Sequence, residues 1–104
     1  MVVTARPSYS RIRSVLSKVH QHPHLKLDLV VTSSALSERY GRAVDNIEND
    51  GFQISHRIYN LLEGTNPSTM SKITGLGLIE LATAFENAKP DVVVTIADRY
   101  ETMA

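Results

Sequence analysis

No cysteine occurs anywhere in the 104 residues. That excludes disulfide scaffolds and thiolate metal sites, and it fits a reducing compartment. A net charge is missing as well, because eleven Lys and Arg cancel eleven Asp and Glu. Without a basic excess, no nucleic-acid partner is expected, and any anion must be held locally by a few placed groups. No apolar run approaches the ~20 residues of a membrane span. The opening "MVVTARPSYSR" lacks a basic region followed by a long apolar stretch, so no signal peptide is read there. In Asn66-Pro67-Ser68 the central proline disqualifies the one candidate glycosylation site. The expectation is a cytoplasmic protein without a membrane partner.

What is present fits one small domain. Val2 to Ala5 predicts a very short strand. After Pro7, residues Tyr9, Ile12, Val15, Leu16 and Val19 recur at helical spacing, with Ser8 placed to cap the helix and Pro23 to end it. "LKLDLVV" (25–31) predicts a strand entering a buried sheet. Residues 37–50 predict a helix with Tyr40, Val44 and Ile47 on one face and Gly51 as its stop. "FQISHRI" (52–58) alternates like a strand, with Phe52, Ile54 and Ile58 on one side. "EGTNPST" (63–69) is a loop by composition, and Asn66 with Pro67 starts the next helix. That helix runs to about Ala88 with Met70, Ile73, Gly77, Leu81 and Phe85 along one stripe. Val92 to Ile96 predicts the last strand.

Strands alternating with helices in this way imply right-handed crossovers and a parallel α/β sheet, doubly wound and Rossmann-like. The expected strand order is 3-2-1-4, with helices on both faces. In such sheets ligands bind beyond the carboxyl ends of the strands, near the switch point between first and fourth. Thr4 to Ser10 and Ala97 to Glu101 therefore belong to one crevice, although they are far apart in the chain.

At that crevice the start of the first helix offers free N–H groups, a favourable dipole and the Ser10 hydroxyl. Arg6 and Arg99 each carry a guanidinium that can fork onto a phosphate. By spacing alone, both are better read as solvated loop arginines. Asp98 is open to three roles: general base, metal ligand, or partner of an arginine. Burial would raise its pKa and a neighbouring arginine would lower it. No glycine-rich phosphate loop is present, and "GLG" at 75–77 falls inside a helix pattern, where close helix–sheet packing explains it. The histidines of "HQHPH" (20–24) point in different directions where a helix ends, so no metal is expected. His56 reads as a partly buried strand residue, and nothing implies a cofactor.

Taken together, "VVTARPSYSR", "DGFQI", "TGLGLIEL" and "KPDVVVTIADRYETMA" resemble the UDP-N-acetylglucosamine 2-epimerase family over essentially the whole chain. The resemblance implies two Rossmann-like domains facing each other in the GT-B arrangement, with the UDP-sugar in the cleft. Residues 1–104 then form the N-terminal part of the first domain, with the second domain absent. "R-P-S-Y-S" and Asp98-Arg99 are more similar to the hydrolysing branch, which releases UDP and N-acetylmannosamine and feeds sialic acid biosynthesis. Its chemistry removes the C2 proton, eliminates UDP to leave a glycal, and adds water. Carried over by position, Arg6 and Ser10 contact the UDP portion, Arg99 contacts phosphate, and Asp98 is the catalytic acid/base. Glu101 is a marginal candidate. Ala35 and Ala97 stand where many hydrolysing members have histidine and glycine.

Half a crevice cannot fix the geometry of a complete active site, so the chain alone is expected to be inactive. The apolar edge at 92–96 is expected to self-associate or to be covered by a partner segment. The alternative is a non-catalytic α/β module that binds a nucleotide or another protein. A receiver-type signalling domain is disfavoured, because no acidic residue lies within residues 1–9.

Overall fold

The structure, a computed structural model, describes residues 1–37, 42–62, 66–96 and 99–104. Helix α1 covers Arg6–Gln21 and therefore opens before Pro7. Proline lacks an N–H that a first-turn residue does not use, and its fixed φ suits the helix, so the helix runs through it. Ala5 is the cap residue and supplies no side-chain bond, while Ser8, expected to be the cap, is a buried residue of the first turn. Tyr9, Ile12 and Leu16 turn inward, whereas Val15, expected on the same face, is 47% exposed. The helix ends at His22, just before Pro23.

Among the described residues, three short parallel strands form the sheet: β1 (Val2–Val3), β2 (Val30–Thr32) and β3 (His56–Ile58), in the order β1-β2-β3. Val2 pairs with Val30 and Val3 with Val31, while Val30, Val31 and Thr32 pair with His56, Arg57 and Ile58. Period-two alternation sends these residues into two cores. Val3, Leu29 and Val31 pack with Tyr9, Ile12 and Leu16 of α1 and with Val44 and Ile47 of α2 (Ala43–Asn49). Val2, Val30 and Ile58 pack on the other face against Leu81 and Ala84 of α3 (Pro67–Ala88). Each such valine or leucine contributes roughly 1.5–3 kcal/mol by leaving water. The sheet is thus covered on both faces, as its apolar strands require.

Strand lengths differ from expectation. The 25–31 strand begins only at Val30, because β1 offers it just Val2 and Val3 as partners. Phe52 and Ile54 pack into the first core but Ile58 packs into the second. The alternation is broken at Ser55 and His56, whose N–H groups both donate to the Leu29 carbonyl (2.8 and 3.3 Å). The expected strand 92–96 is reduced to a single parallel bridge, Val2 to Thr95. Val2 N–H donates to the Val94 carbonyl at 2.9 Å and the Thr95 hydroxyl to the Val2 carbonyl at 3.3 Å. A two-residue neighbour cannot support a longer ladder. The bridge nevertheless lies on the side of β1 away from β2, where the expected order places it.

Helix α3 starts as its sequence demands, with the Asn66 side chain accepting from Thr69 N–H at 2.9 Å and Pro67 in the first turn. Gly77 has a packing reason: a Cβ there would sit 3.1 Å from both the Asn60 amide nitrogen and the Ala104 Cβ. Gly75 has none among the described residues, where a Cβ meets nothing within 4 Å. The second helix, expected over 37–50, is confined to Ala43–Asn49 and is preceded by a 3-10 turn at Ser33–Leu36; Tyr40 lies outside the described residues. Gly51 follows α2 with φ of +89°, a conformation that suits glycine. No helix among the described residues is long and apolar enough to cross a membrane.

One contact ties α1 to the end of α2. The Tyr9 hydroxyl donates to the Asp50 carboxylate, which also accepts from Arg13 at 3.0 Å. Burial first, and then the bond to Asp50, raises the Tyr9 phenol well above its ordinary value of 10.0. The folded chain therefore holds this proton more tightly than the unfolded chain. The resulting stabilisation is complete below a pH of about 10 and is lost as pH climbs beyond it. Tyr9→Phe should flatten that alkaline decline in urea-unfolding free energy. Parallel declines in the two proteins would refute the assignment.

Candidate functional site

The carboxyl ends of the parallel strands set the site. Thr4 leaves β1 there, and its carbonyl accepts from Ala35 N–H at 3.3 Å and from the Ser34 hydroxyl at 3.1 Å. This binds the turn after β2 to the end of β1. Ser33 opens that turn with φ of +53°, an uncommon conformation for a residue with a side chain. Asn60, just beyond β3, holds it: one amide oxygen accepts from both Ser33 N–H and Ser33 Oγ at 3.0 Å each. The same amide donates to the Ile73 carbonyl of α3 at 3.1 Å. Asn60 is 4% exposed and joins the ends of two strands to the helix beneath them.

Helix α1 starts beside Thr4, with exposed Arg6 as its first residue. Its first-turn N–H groups and dipole favour an anion at that point. Ser10 is exposed, and its hydroxyl donates to the Arg6 carbonyl at 3.3 Å. Two other hydroxyls at this end, Thr4 Oγ1 and Ser8 Oγ, are buried and have no hydrogen-bond partner among the described residues. The parallel bridge between Val2 and Thr95 lies beside β1, and the Thr102 hydroxyl donates to the Ile96 carbonyl at 3.2 Å.

Arg99 has part of its guanidinium engaged. Its Nε donates to both Glu101 oxygens (3.2 and 3.0 Å) and its Nη2 to Oε1 at 2.9 Å. The Glu101 side chain is fully buried, while that of Arg99 is 42% exposed. The hydrogen bond to Glu101 raises the already high pKa of the arginine. Glu101, a marginal substrate candidate in the sequence, is the carboxylate that orients Arg99. A phosphate reaching this guanidinium would share it. Asp98 lies outside the described residues.

The histidines of 20–24 are used locally. His20 meets Phe52 edge-on at 5.8 Å between centroids, and His22 Nδ1 accepts from His24 N–H at 3.2 Å. Among the described residues no three potential metal-binding side chains gather. The sequence had not singled out Asn60 or Ser33. An asparagine just past a strand was the only available signal, and nothing local marked Ser33 for a positive φ.

A model of the UDP-N-acetylglucosamine 2-epimerase family matches residues 17–104. The chain is 35% identical over 103 residues to a Legionella pneumophila protein, UDP-N,N'-diacetylbacillosamine 2-epimerase (hydrolyzing), covering 99% of this chain and 27% of that protein. It is 29% identical to the GDP/UDP-N,N'-diacetylbacillosamine 2-epimerase (hydrolyzing) of Campylobacter jejuni, covering 100% of this chain and 27% of the relative. A Neisseria meningitidis UDP-N-acetylglucosamine 2-epimerase is 23% identical, covering 99% of this chain and 26% of its own length. The chain thus spans about a quarter of the curated relatives it matches. With a match across most of its length, and a relative above 30% identity, this chain belongs to the UDP-N-acetylglucosamine 2-epimerase family.

Proposed function

We propose that this chain is the N-terminal part of the first Rossmann-like domain of a hydrolysing UDP-sugar 2-epimerase, and that it is catalytically silent alone. The observation that carries this is the parallel contact of Thr95 with Val2, in a chain of this family. In this reading the start of α1 and the Arg99–Glu101 pair share one end of the sheet, where doubly wound folds bind ligands. The buried hydroxyls of Thr4 and Ser8, without a partner among the described residues, add support, since buried polar atoms normally find one.

In this proposal Arg6 and Ser10 contact the UDP portion and Arg99 reaches a phosphate oxygen while Glu101 holds its orientation. Asp98 moves the C2 proton, a role that rests on resemblance. The proposed reaction is UDP-N-acetylglucosamine plus water to N-acetylmannosamine plus UDP, with no cofactor. The names of the Legionella and Campylobacter relatives make UDP-N,N'-diacetylbacillosamine the second substrate to assay. Catalysis requires groups outside this chain, as its share of the relatives' length implies.

The test is a calorimetric titration of the chain with UDP, with ADP and the Arg6→Ala variant as controls. Saturable, uracil-selective binding is expected, weakened roughly tenfold by Arg6→Ala through loss of a charged hydrogen bond. A folded chain that ignores UDP would eliminate the retained half-site. Formation of N-acetylmannosamine by the chain alone would refute its proposed silence.

The outer flank of 92–96 completes the proposal. Val92 is 74% and Val93 49% exposed, and this edge is proposed to self-associate. Val93→Lys should lower light scattering at high concentration. Scattering equal to that of the parent would remove the edge as its cause.

A further inference from the structure

The turn at Ser33–Leu36 grips the chain just before α1. Ser34 Oγ and Ala35 N–H both donate to the Thr4 carbonyl, at 3.1 and 3.3 Å. Thr4 precedes Ala5, the cap of α1, whose carbonyl accepts the first helical bond from Tyr9 N–H at 3.2 Å. The Thr4 carbonyl and the Ala5 N–H share one rigid peptide plane. Fixing that carbonyl therefore fixes the direction in which the helix begins and Arg6 leaves it. Ala35 is fully buried in the same core as Tyr9 and Ile12, which seats the turn against α1.

The turn is held in its own shape from the other side. Ser33 has φ of +53°, which a residue with a side chain adopts only under restraint. That restraint is the Asn60 amide oxygen, which accepts from Ser33 N–H and Oγ at 3.0 Å each. Asn60 is anchored in turn on the 22-residue α3, where its amide nitrogen donates to the Ile73 carbonyl at 3.1 Å. Gly77 leaves room for that nitrogen, since a Cβ there would stand 3.1 Å from it. A continuous series of bonds thus runs from α3 through Asn60, Ser33 and Thr4 to the start of α1. We propose that Asn60 is a positioning residue for the anion site at that start, touching no ligand but setting where Arg6 stands. The inference takes its ligand from the UDP reading and goes beyond it in naming what holds the site. Binding groups must be kept within roughly 0.5 Å of their working positions, a tolerance that a relaxed turn exceeds.

Calorimetric titration with UDP tests this on the parent, Asn60→Leu, Arg6→Ala and the double variant, each confirmed folded by far-UV circular dichroism. Asn60→Leu should weaken binding about fivefold, but less than about twofold once Arg6 is alanine, because coupled groups are not additive. Equal weakening in both backgrounds would mark a merely structural role and overturn the proposal. Ser34→Ala keeps Asn60 and most of the stability while removing one bond to Thr4, so it serves if Asn60→Leu does not fold. It should weaken UDP about threefold, with the same dependence on Arg6. Hydrogen exchange separates this inference from the UDP reading. In Ser34→Ala the Tyr9 N–H should exchange about tenfold faster, with Leu16 N–H in mid-helix unchanged. A folded parent that ignores UDP would overturn the UDP reading. Tyr9 exchange as slow in Ser34→Ala as in the parent would overturn the positioning role, whatever UDP does.

Discussion

Asn60→Leu is expected to lower the unfolding free energy by about 3 kcal/mol, a large share of the stability of so small a domain. The side chain is nearly isosteric, so little of the loss comes from a cavity. It comes from Ser33, whose buried N–H and hydroxyl both depend on the Asn60 amide oxygen, and from the bond to the Ile73 carbonyl. Each buried donor left without a partner costs roughly 1–3 kcal/mol. Ser33 adds to the effect because its φ of +53° is held in place by those bonds. Ser33→Gly is the matched control. It loses one hydroxyl bond but releases the backbone penalty, two effects of roughly 1 kcal/mol that oppose each other. Urea unfolding of both variants decides the matter. A loss below about 0.5 kcal/mol for Asn60→Leu would mean that the turn after β2 is held by something else.

Arg99→Ala is expected to destabilise the chain by about 2 kcal/mol. Breaking a buried pair costs roughly 3–5 kcal/mol. The cost is smaller here because the Arg99 side chain is 42% exposed and already partly solvated. What remains is the Glu101 carboxylate, buried and deprived of its three contacts. The diagnostic feature is a change of sign. Glu101→Gln alone should destabilise by about 1 kcal/mol, since it replaces a charged acceptor with a neutral one. In the Arg99→Ala background the same change should stabilise, because it removes the unpaired charge. A Glu101→Gln effect of equal size and sign in both backgrounds would show that the two side chains are not coupled.

Much of the fold was determined by local sequence. Asn66-Pro67 predicted the start of α3, and the structure has Asn66 as the cap with Pro67 in the first turn. Apolar spacing identified the inward faces of α1 and α3, apart from Val15, because a helix places residues three and four apart on one side. The order of strands and helices implied a parallel sheet covered on both faces, since crossover helices leave few other arrangements. The same topology leads the sequence to expect the start of α1 and residues 97–101 at one end of the sheet.

Only the tertiary structure decided the rest. Strand lengths depend on the partner: Leu25 to Asp28 and Val92 to Ile96 have strand-like sequences, but β1 offers two residues to pair with. Ser8 looked like a helix cap, yet Pro7 fits just as well inside the first turn, and burial of Ser8 places it there. Ser33 acquires its left-handed backbone from Asn60, 27 positions later. Periodicity and turn chemistry act over a few residues and can be read from the chain. Hydrogen bonds and ion pairs that close between distant segments exist only once packing has brought those segments together.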